Sequence, residues 1–231
     1  MDVTPESLEI LYEDDVLIAA NKPPRTPVHG RPGGRRPDLL TLAEARSGRR
    51  LVLFHRLDID TTGVVLLGKD RSINAAMTAA FAEKRIRKAY WAVVRGRWQP
   101  SWNRIETRID RDGDARRFRN VVAGGRSAVS TCRLLDANDA RSWIEVLPKT
   151  GRTHQVRLHC LAMGCPVLGD PIYGERTADP IALHAWRVDL RHPVHGHAVS
   201  IRAVPPEYWR GRWLDGLSYA DSWSAAFPDH P

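Results

Sequence analysis

Apolar positions along this chain come in short runs broken by turns, a spacing that predicts many strands and few helices. Residues 8–12 and 16–20 read as strands around a turn at Glu13-Asp14-Asp15. Pro, Gly and Arg crowd residues 22–36, which predicts a loop. Asp38 is placed to cap a short helix to Arg46, with Gly48 ending it. Apolar runs at 51–54 and 64–67 flank a polar loop, and a helix follows with Asp70 as its cap. In that helix Ile73, Ala76, Met77, Ala80 and Phe81 fall on one face. Alternation at 88–94, 104–109, 128–134 and 143–147 predicts further strands. In the first of these it puts Ala89, Trp91 and Val93 on one face and Tyr90, Ala92 and Val94 on the other. A helix over 153–163, closed by Gly164, is followed by strands at 181–190 and 199–204. A last helix over 206–214 carries Tyr208, Trp209 and Trp213. No internal repeat or heptad pattern is present. The fold class that follows is α+β, a mixed, largely antiparallel sheet with flanking helices and loops.

The polar loop is the first candidate for chemistry. It reads His55-Arg56-Leu57-Asp58-Ile59-Asp60-Thr61-Thr62-Gly63 and sets an ionisable carboxylate, with an arginine two residues before it, between two strand-like runs. A loop tethered at both ends fixes a charged side chain while leaving it open to a substrate. On its own the segment is equally readable as a turn with a solvated aspartate.

A second segment changes that balance. From Gly151 to Gly174 the chain reads Gly-Arg-Thr-His-Gln-Val-Arg-Leu-His, then Cys-Leu-Ala-Met-Gly-Cys-Pro-Val-Leu, then Gly-Asp-Pro-Ile-Tyr-Gly. Together the two segments resemble the RluA-type family of RNA pseudouridine synthases, whose signatures are H-R-L-D-x-x-T-S-G and G-R-x-H-Q-I-R-x-H followed by G-D-x-x-Y-G. Further family-like stretches lie at 17–24, 88–94, 183–185 and 192–193, so the resemblance covers about residues 10–205, with the signatures in order. It implies a single catalytic domain over 1–231 with a C-terminal extension at 206–231, and no S4-like RNA-binding domain ahead of it.

The resemblance also implies roles. Pseudouridine formation breaks the N1–C1′ bond of a uridine, turns the base and joins C5 to C1′; the product is an isomer, so no cofactor or metal is expected. The site must supply a positioned carboxylate, a group that moves a proton and a pocket that excludes water. Asp58 matches the family's catalytic aspartate, and Asp60 falls on a variable position. Arg157 matches the arginine that pairs with that aspartate, and a buried pair of this kind marks a site more than it stabilises a fold. Tyr90 matches the tyrosine that stacks on the target base; a phenol with a reference pKa of about 10 is a poor base at neutral pH, so stacking is its firmer role. Lys88 shares its face and meets phosphate. Arg56 fills the space left by the flipped uridine, and Leu183 packs against the base. His55, Thr61 and Gly63 shape the loop. Two positions depart from the pattern: Thr62 replaces a serine, and Arg25 stands where the early K-P-x-G segment has glycine, which predicts a changed backbone path.

Composition narrows the partners. Formal net charge is +8 over 231 residues, which points to a polyanion such as structured ribosomal or transfer RNA. Residues 111–120 read as a turn-rich loop with arginines and an aromatic; Arg116, Arg117 and Arg119 in it are expected to contact RNA. Three cysteines, Cys132, Cys160 and Cys165, show no framework spacing and fit a reducing, cytoplasmic setting. Cys160 and Cys165 near His154 and His159 raise zinc as a minor alternative, and His192, His195 and His197 read better as a turn rim than as ligands. No apolar run approaches a membrane span, and a monomer with no obligatory protein partner is expected. The main rival is a non-catalytic RNA-binding or folding factor on the same fold.

Overall fold

The computed structural model describes residues 4–30, 37–218 and 220–227, with the backbone alone for 114–116 and 220–222. In chain order the elements are β1 (Ile10–Glu13), β2 (Leu17–Lys22), α1 (Leu39–Ser47), β3 (Val52–Leu53), β4 (Thr62–Gly68), a 3₁₀ turn (Arg71–Ile73) and α2 (Asn74–Ala82). Then come β5 (Arg87–Arg95), β6 (Arg104–Asp112), β7 (Asp114–Val121), β8 (Arg126–Ala137), β9 (Arg141–Pro148) and α3 (Gln155–Ala162). β10 (Leu183–Arg191), β11 (Ala198–Arg202), α4 (Tyr208–Arg212) and α5 (Ala220–Ala226) complete the chain. Contacts divide it into two compact units, Met1–Lys88 with Ala185–Ala203 and Ala89–His184 with Val204–Pro231.

In the first unit β2 pairs antiparallel with β1 and with β4, in register from Leu17↔Gly68 to Lys22↔Gly63, and β10 pairs antiparallel with β11. The turn between β1 and β2 forms because Asp14 Oδ1 accepts the Val16 and Leu17 amides at 2.9 and 2.8 Å. Leu17, Ala19, Val64 and Leu66 from the strands pack against Ile73 and Met77. α1 begins where Asp38 accepts the Thr41 amide and ends at Gly48 in the left-handed conformation. Asp70 caps the 3₁₀ turn rather than α2 itself, and Ala76 faces solvent, so the buried stripe of α2 narrows to Met77 and Ala80.

The second unit's strands run β5-β9-β8-β6-β7, each neighbour antiparallel. β5 is buried on both faces from Ala89 to Val94, so the alternation read from sequence does not separate an inner from an outer face. Residues 111–120, expected as a loop, form the end of β6, a turn at Gly113 and most of β7. That hairpin exposes most of its charged side chains, but Ile109 of β6 is buried with Ala128 and Leu158 and Phe118 of β7 packs against them, so this small apolar cluster and the pairing of β6 with β8 order it together. α3 starts at Gln155 rather than Thr153, since His154 takes a left-handed φ of 56°. α5 was not expected: it is held by Trp223 and Phe227 against Trp91, ring centroids 5.8 and 5.6 Å away. Burying two such aromatics supplies roughly 2 kcal/mol each, enough to fix a short helix.

Candidate active site

Asp58 sits in a turn whose ends are fixed by main-chain geometry. Its carbonyl accepts the Thr61 amide at 3.2 Å, and its side chain is half-buried, less enclosed than a fully buried acid. Arg56 and Ile59 on either side are exposed, Ile59 by 52%. His55 enters this turn as a neutral ring: its Nε2 accepts the Leu66 amide at 2.9 Å, and burial together with the Lys88 charge pushes it down to about 3. Gly63 closes the turn with a φ of +111°, and a Cβ there would lie 2.7 Å from the Ala185 carbonyl carbon. No other residue fits that position. His55 and Gly63 thus shape the loop, as the sequence implies.

Behind the turn lies a residue the sequence reading did not single out. Lys22 is fully buried at the end of β2, and its Nζ donates to the carbonyls of Pro23, Thr26 and Ile59 at 2.9, 2.8 and 2.8 Å. Every N–H of the ammonium therefore has an acceptor. Burial pushes it down to about 7, against the pull of Asp60 and Asp58 in the other direction. The signal was present: Ile18, Ala20 and Lys22 share one face of the strand, and that face is buried. The nearby Arg25 adopts a φ of 57°, a conformation glycine favours, so the expected change of backbone path does not follow from the substitution.

Lys22→Met removes three donors and leaves three carbonyls short of partners, loosening the turn that carries Asp58. Turnover is expected to fall roughly 10- to 100-fold with RNA affinity unchanged, measured by single-turnover kinetics beside a filter-binding assay. The pH dependence has a definite sign. Lys22 has a lowered value in the folded protein, so its contribution is fully present above the unfolded lysine value and is lost as pH falls through about 7. Urea unfolding is therefore expected to show the wild type gaining stability over Lys22→Met as pH rises above about 7.

In the second unit Arg157 is buried on α3 and grips Asp170 with two hydrogen bonds of 2.7 Å, Nε to Oδ2 and Nη2 to Oδ1. Asp170 is fully buried; burial alone would raise its pKa, but the Arg157 bonds and charge and the amides of Ile172 and Tyr173 hold it below the ordinary value. Asp170 lies in the G-D-x-x-Y-G stretch, where sequence alone assigns it no role. Tyr90 is buried in β5 opposite Val146, and Leu183 is buried at the start of β10. Lys88, which ends the first unit, is depressed by burial and has its Nζ 6.0 Å from the Phe81 ring. Arg117 and Arg119 are exposed on β7, each 3.5 Å from Asp112, a separation at which exposed pairs contribute little and leave both guanidiniums available. The Arg116 side chain lies outside the described residues.

The residues raised as a zinc alternative are otherwise engaged. His154 Nδ1 lies 2.8 Å from the Tyr173 hydroxyl and His159 Nδ1 3.0 Å from Ser130 Oγ, while burial pushes the Cys160 thiol well up. Among the described residues no cluster of metal-ligating side chains forms. His192 Nδ1 accepts the Val194 and His195 amides, the turn-rim role expected of it. No helix among the described residues is long and apolar enough to cross a membrane.

Comparison with known proteins bears on the same segments. The family model described as RNA pseudouridylate synthase matches residues 16–162. A ribosomal large subunit pseudouridine synthase C from Vibrio parahaemolyticus is 32% identical over 222 residues, 92% of this chain and 70% of that protein. A ribosomal large subunit pseudouridine synthase D from Neisseria meningitidis is 34% identical over 88% of this chain and 59% of its own length. The solved structure of human RNA pseudouridylate synthase domain containing 1 superposes with a TM-score of 0.74 at 26% identity, covering 89% of this chain and 86% of that one. With the Asp58 turn and the Arg157 helix both inside the matched span, the chain belongs to the RNA pseudouridylate synthase family, isomerases that turn uridine in RNA into pseudouridine.

Proposed function

We propose that this protein isomerises particular uridines in structured ribosomal RNA, or in transfer RNA, with Asp58 as the catalytic carboxylate. One observation carries the reading. The Asp58 turn is pinned through Ile59 by a fully buried ammonium, while Arg56 and Ile59 beside it stand open to solvent. A carboxylate carried on a pinned main chain between exposed neighbours suits a base that swings out of its helix and is met where it lands. In this reading Arg56 takes the vacated place in the stack, Tyr90 and Leu183 hold the base, Arg157 supplies positive charge, and Lys88 with Arg116, Arg117 and Arg119 meets phosphates. The large-subunit names of the relatives make ribosomal RNA the first substrate to try.

The test is to incubate the pure protein with large-subunit ribosomal RNA and map new pseudouridines by carbodiimide labelling and primer extension. Site-specific new stops support the reading, and their absence on ribosomal and transfer RNA alike removes it. Extrusion makes a further demand. If Arg56 fills the gap, Arg56→Ala should slow the reaction roughly 10- to 100-fold on a paired uridine, the cost of a few kcal/mol of unstacking, and far less on one in an open strand. Equal losses on both substrates would assign Arg56 another role.

A further inference from the structure

We propose that Tyr173 is the positioning residue that ties the hairpin β6–β7 to α3 and to Arg157. The proposal rests on the reading that hairpin and Arg157 both serve the RNA. β7 is the edge strand of its sheet, and an edge strand leaves outward amides to find partners of their own. The Phe118 amide finds the Tyr173 hydroxyl at 3.0 Å, and that same hydroxyl lies 2.8 Å from His154 Nδ1. An oxygen that accepts an amide proton still has its own to give, and His154 Nδ1 accepts it in the tautomer that carries the ring proton on Nε2. The face of the tyrosine ring meanwhile sits 5.0 Å from Arg157 Cζ, a cation over an aromatic face.

Four further contacts brace the arrangement. Asp170 Oδ1 accepts the Tyr173 amide at 3.0 Å while gripping Arg157, so ring and guanidinium are fixed from one carboxylate. Asn120, two residues along β7, donates to the Leu158 carbonyl of α3 at 3.0 Å. The left-handed His154 sets its imidazole edge-on to Phe118 and Tyr173, centroids 5.6 and 5.5 Å away. Beyond these points Arg111, Arg117 and Arg119 are exposed. A phosphate pulling on them therefore loads α3 through one hydroxyl, one amide and the packing of Ile109 and Phe118 on Leu158, and the ring carrying that hydroxyl also bears Arg157.

Tyr173→Phe keeps the ring and deletes the hydroxyl. It is expected to raise the KM for structured RNA roughly 5- to 20-fold, much more than it lowers kcat, and to speed deuterium exchange at the Phe118 amide. Tyr173→Leu, which also loses the ring face, should lower kcat as well. His154→Asn tolerates the left-handed backbone, removes the imidazole and should raise KM in the same direction, keeping the idea testable if a Tyr173 variant folds poorly. Exchange needs no turnover, so it separates a failed latch from a failed reading of the reaction. Unchanged Phe118 exchange in Tyr173→Phe and His154→Asn overturns the proposal even if the enzyme is active. So does a fall in melting temperature with KM untouched, the mark of a merely structural tyrosine.

Discussion

Asp58→Asn is expected to stop pseudouridine formation, by about 10⁴-fold or more in the single-turnover rate, while leaving the affinity for RNA in place. The substitution exchanges one carboxylate oxygen for an amide nitrogen of equal size, so the change is chemical rather than steric. What holds the turn is main chain: the Asp58 carbonyl on the Thr61 amide, and the Ile59 carbonyl on the Lys22 ammonium. Both survive the substitution. An amide bears no negative charge and is a poor nucleophile, so on the role proposed for Asp58 detachment of the base loses the group that assists it. Primer-extension stops on labelled RNA read the product, and a gel shift reads the complex. An asparagine variant that yields the same stops at a comparable rate would remove Asp58 from the chemistry and favour a protein that binds and folds RNA without modifying it.

How much of this was legible in the sequence depends on whether a residue's environment is set nearby or far away in the chain. α1 was readable to within a residue because Asp38 and Gly48, its cap and its stop, are local devices. β2 and β4 were readable because apolar runs that long must be covered. β6 was legible at 104–109, whereas β7 was not, because residues 111–120 are mostly polar and β7 is ordered by β6 and by the packing of Phe118 on Leu158 and Tyr173 far along the chain. α5 was missed because Trp91, which it packs on, lies more than a hundred residues earlier.

The site divides the same way. Arg56, Asp58, Tyr90 and Arg157 stand out through motif resemblance, which suggests roles but does not show what surrounds each side chain. Lys22 and Asp170 do not stand out in that way, though both lie inside family-like stretches. A buried lysine shows its role only when the Ile59 carbonyl of a distant turn joins the Pro23 and Thr26 carbonyls of its own loop around it, and a buried aspartate only when the helix bearing Arg157 arrives. For Lys22 the strand's alternation held a usable hint. For Asp170 the proline after it points only to a turn.

Asp170 should also carry the largest effect on stability. With no exposure of its own, it accepts Arg157 through both oxygens at 2.7 Å and the Ile172 and Tyr173 amides at 2.9 and 3.0 Å through Oδ1. Asp170→Asn keeps one acceptor oxygen and turns an amide NH₂ toward a guanidinium that is itself a donor. A buried arginine then faces a partner that repels its hydrogens, and breaking a buried pair in this way costs about 3–5 kcal/mol. Urea unfolding at neutral pH should show that loss, and a variant within about 1 kcal/mol of the wild type would mean the pair is not a structural anchor. Acid supplies an independent check. Because the folded protein holds Asp170 below the ordinary carboxylate value, its contribution is complete above the unfolded value of about 3.9 and is lost as pH falls through the folded one. The gap between wild type and Asp170→Asn should therefore be widest near neutrality and close as the solution is acidified below about pH 4. A gap that stays constant down that range would show that the aspartate's charge is not what binds α3 to the turn after it.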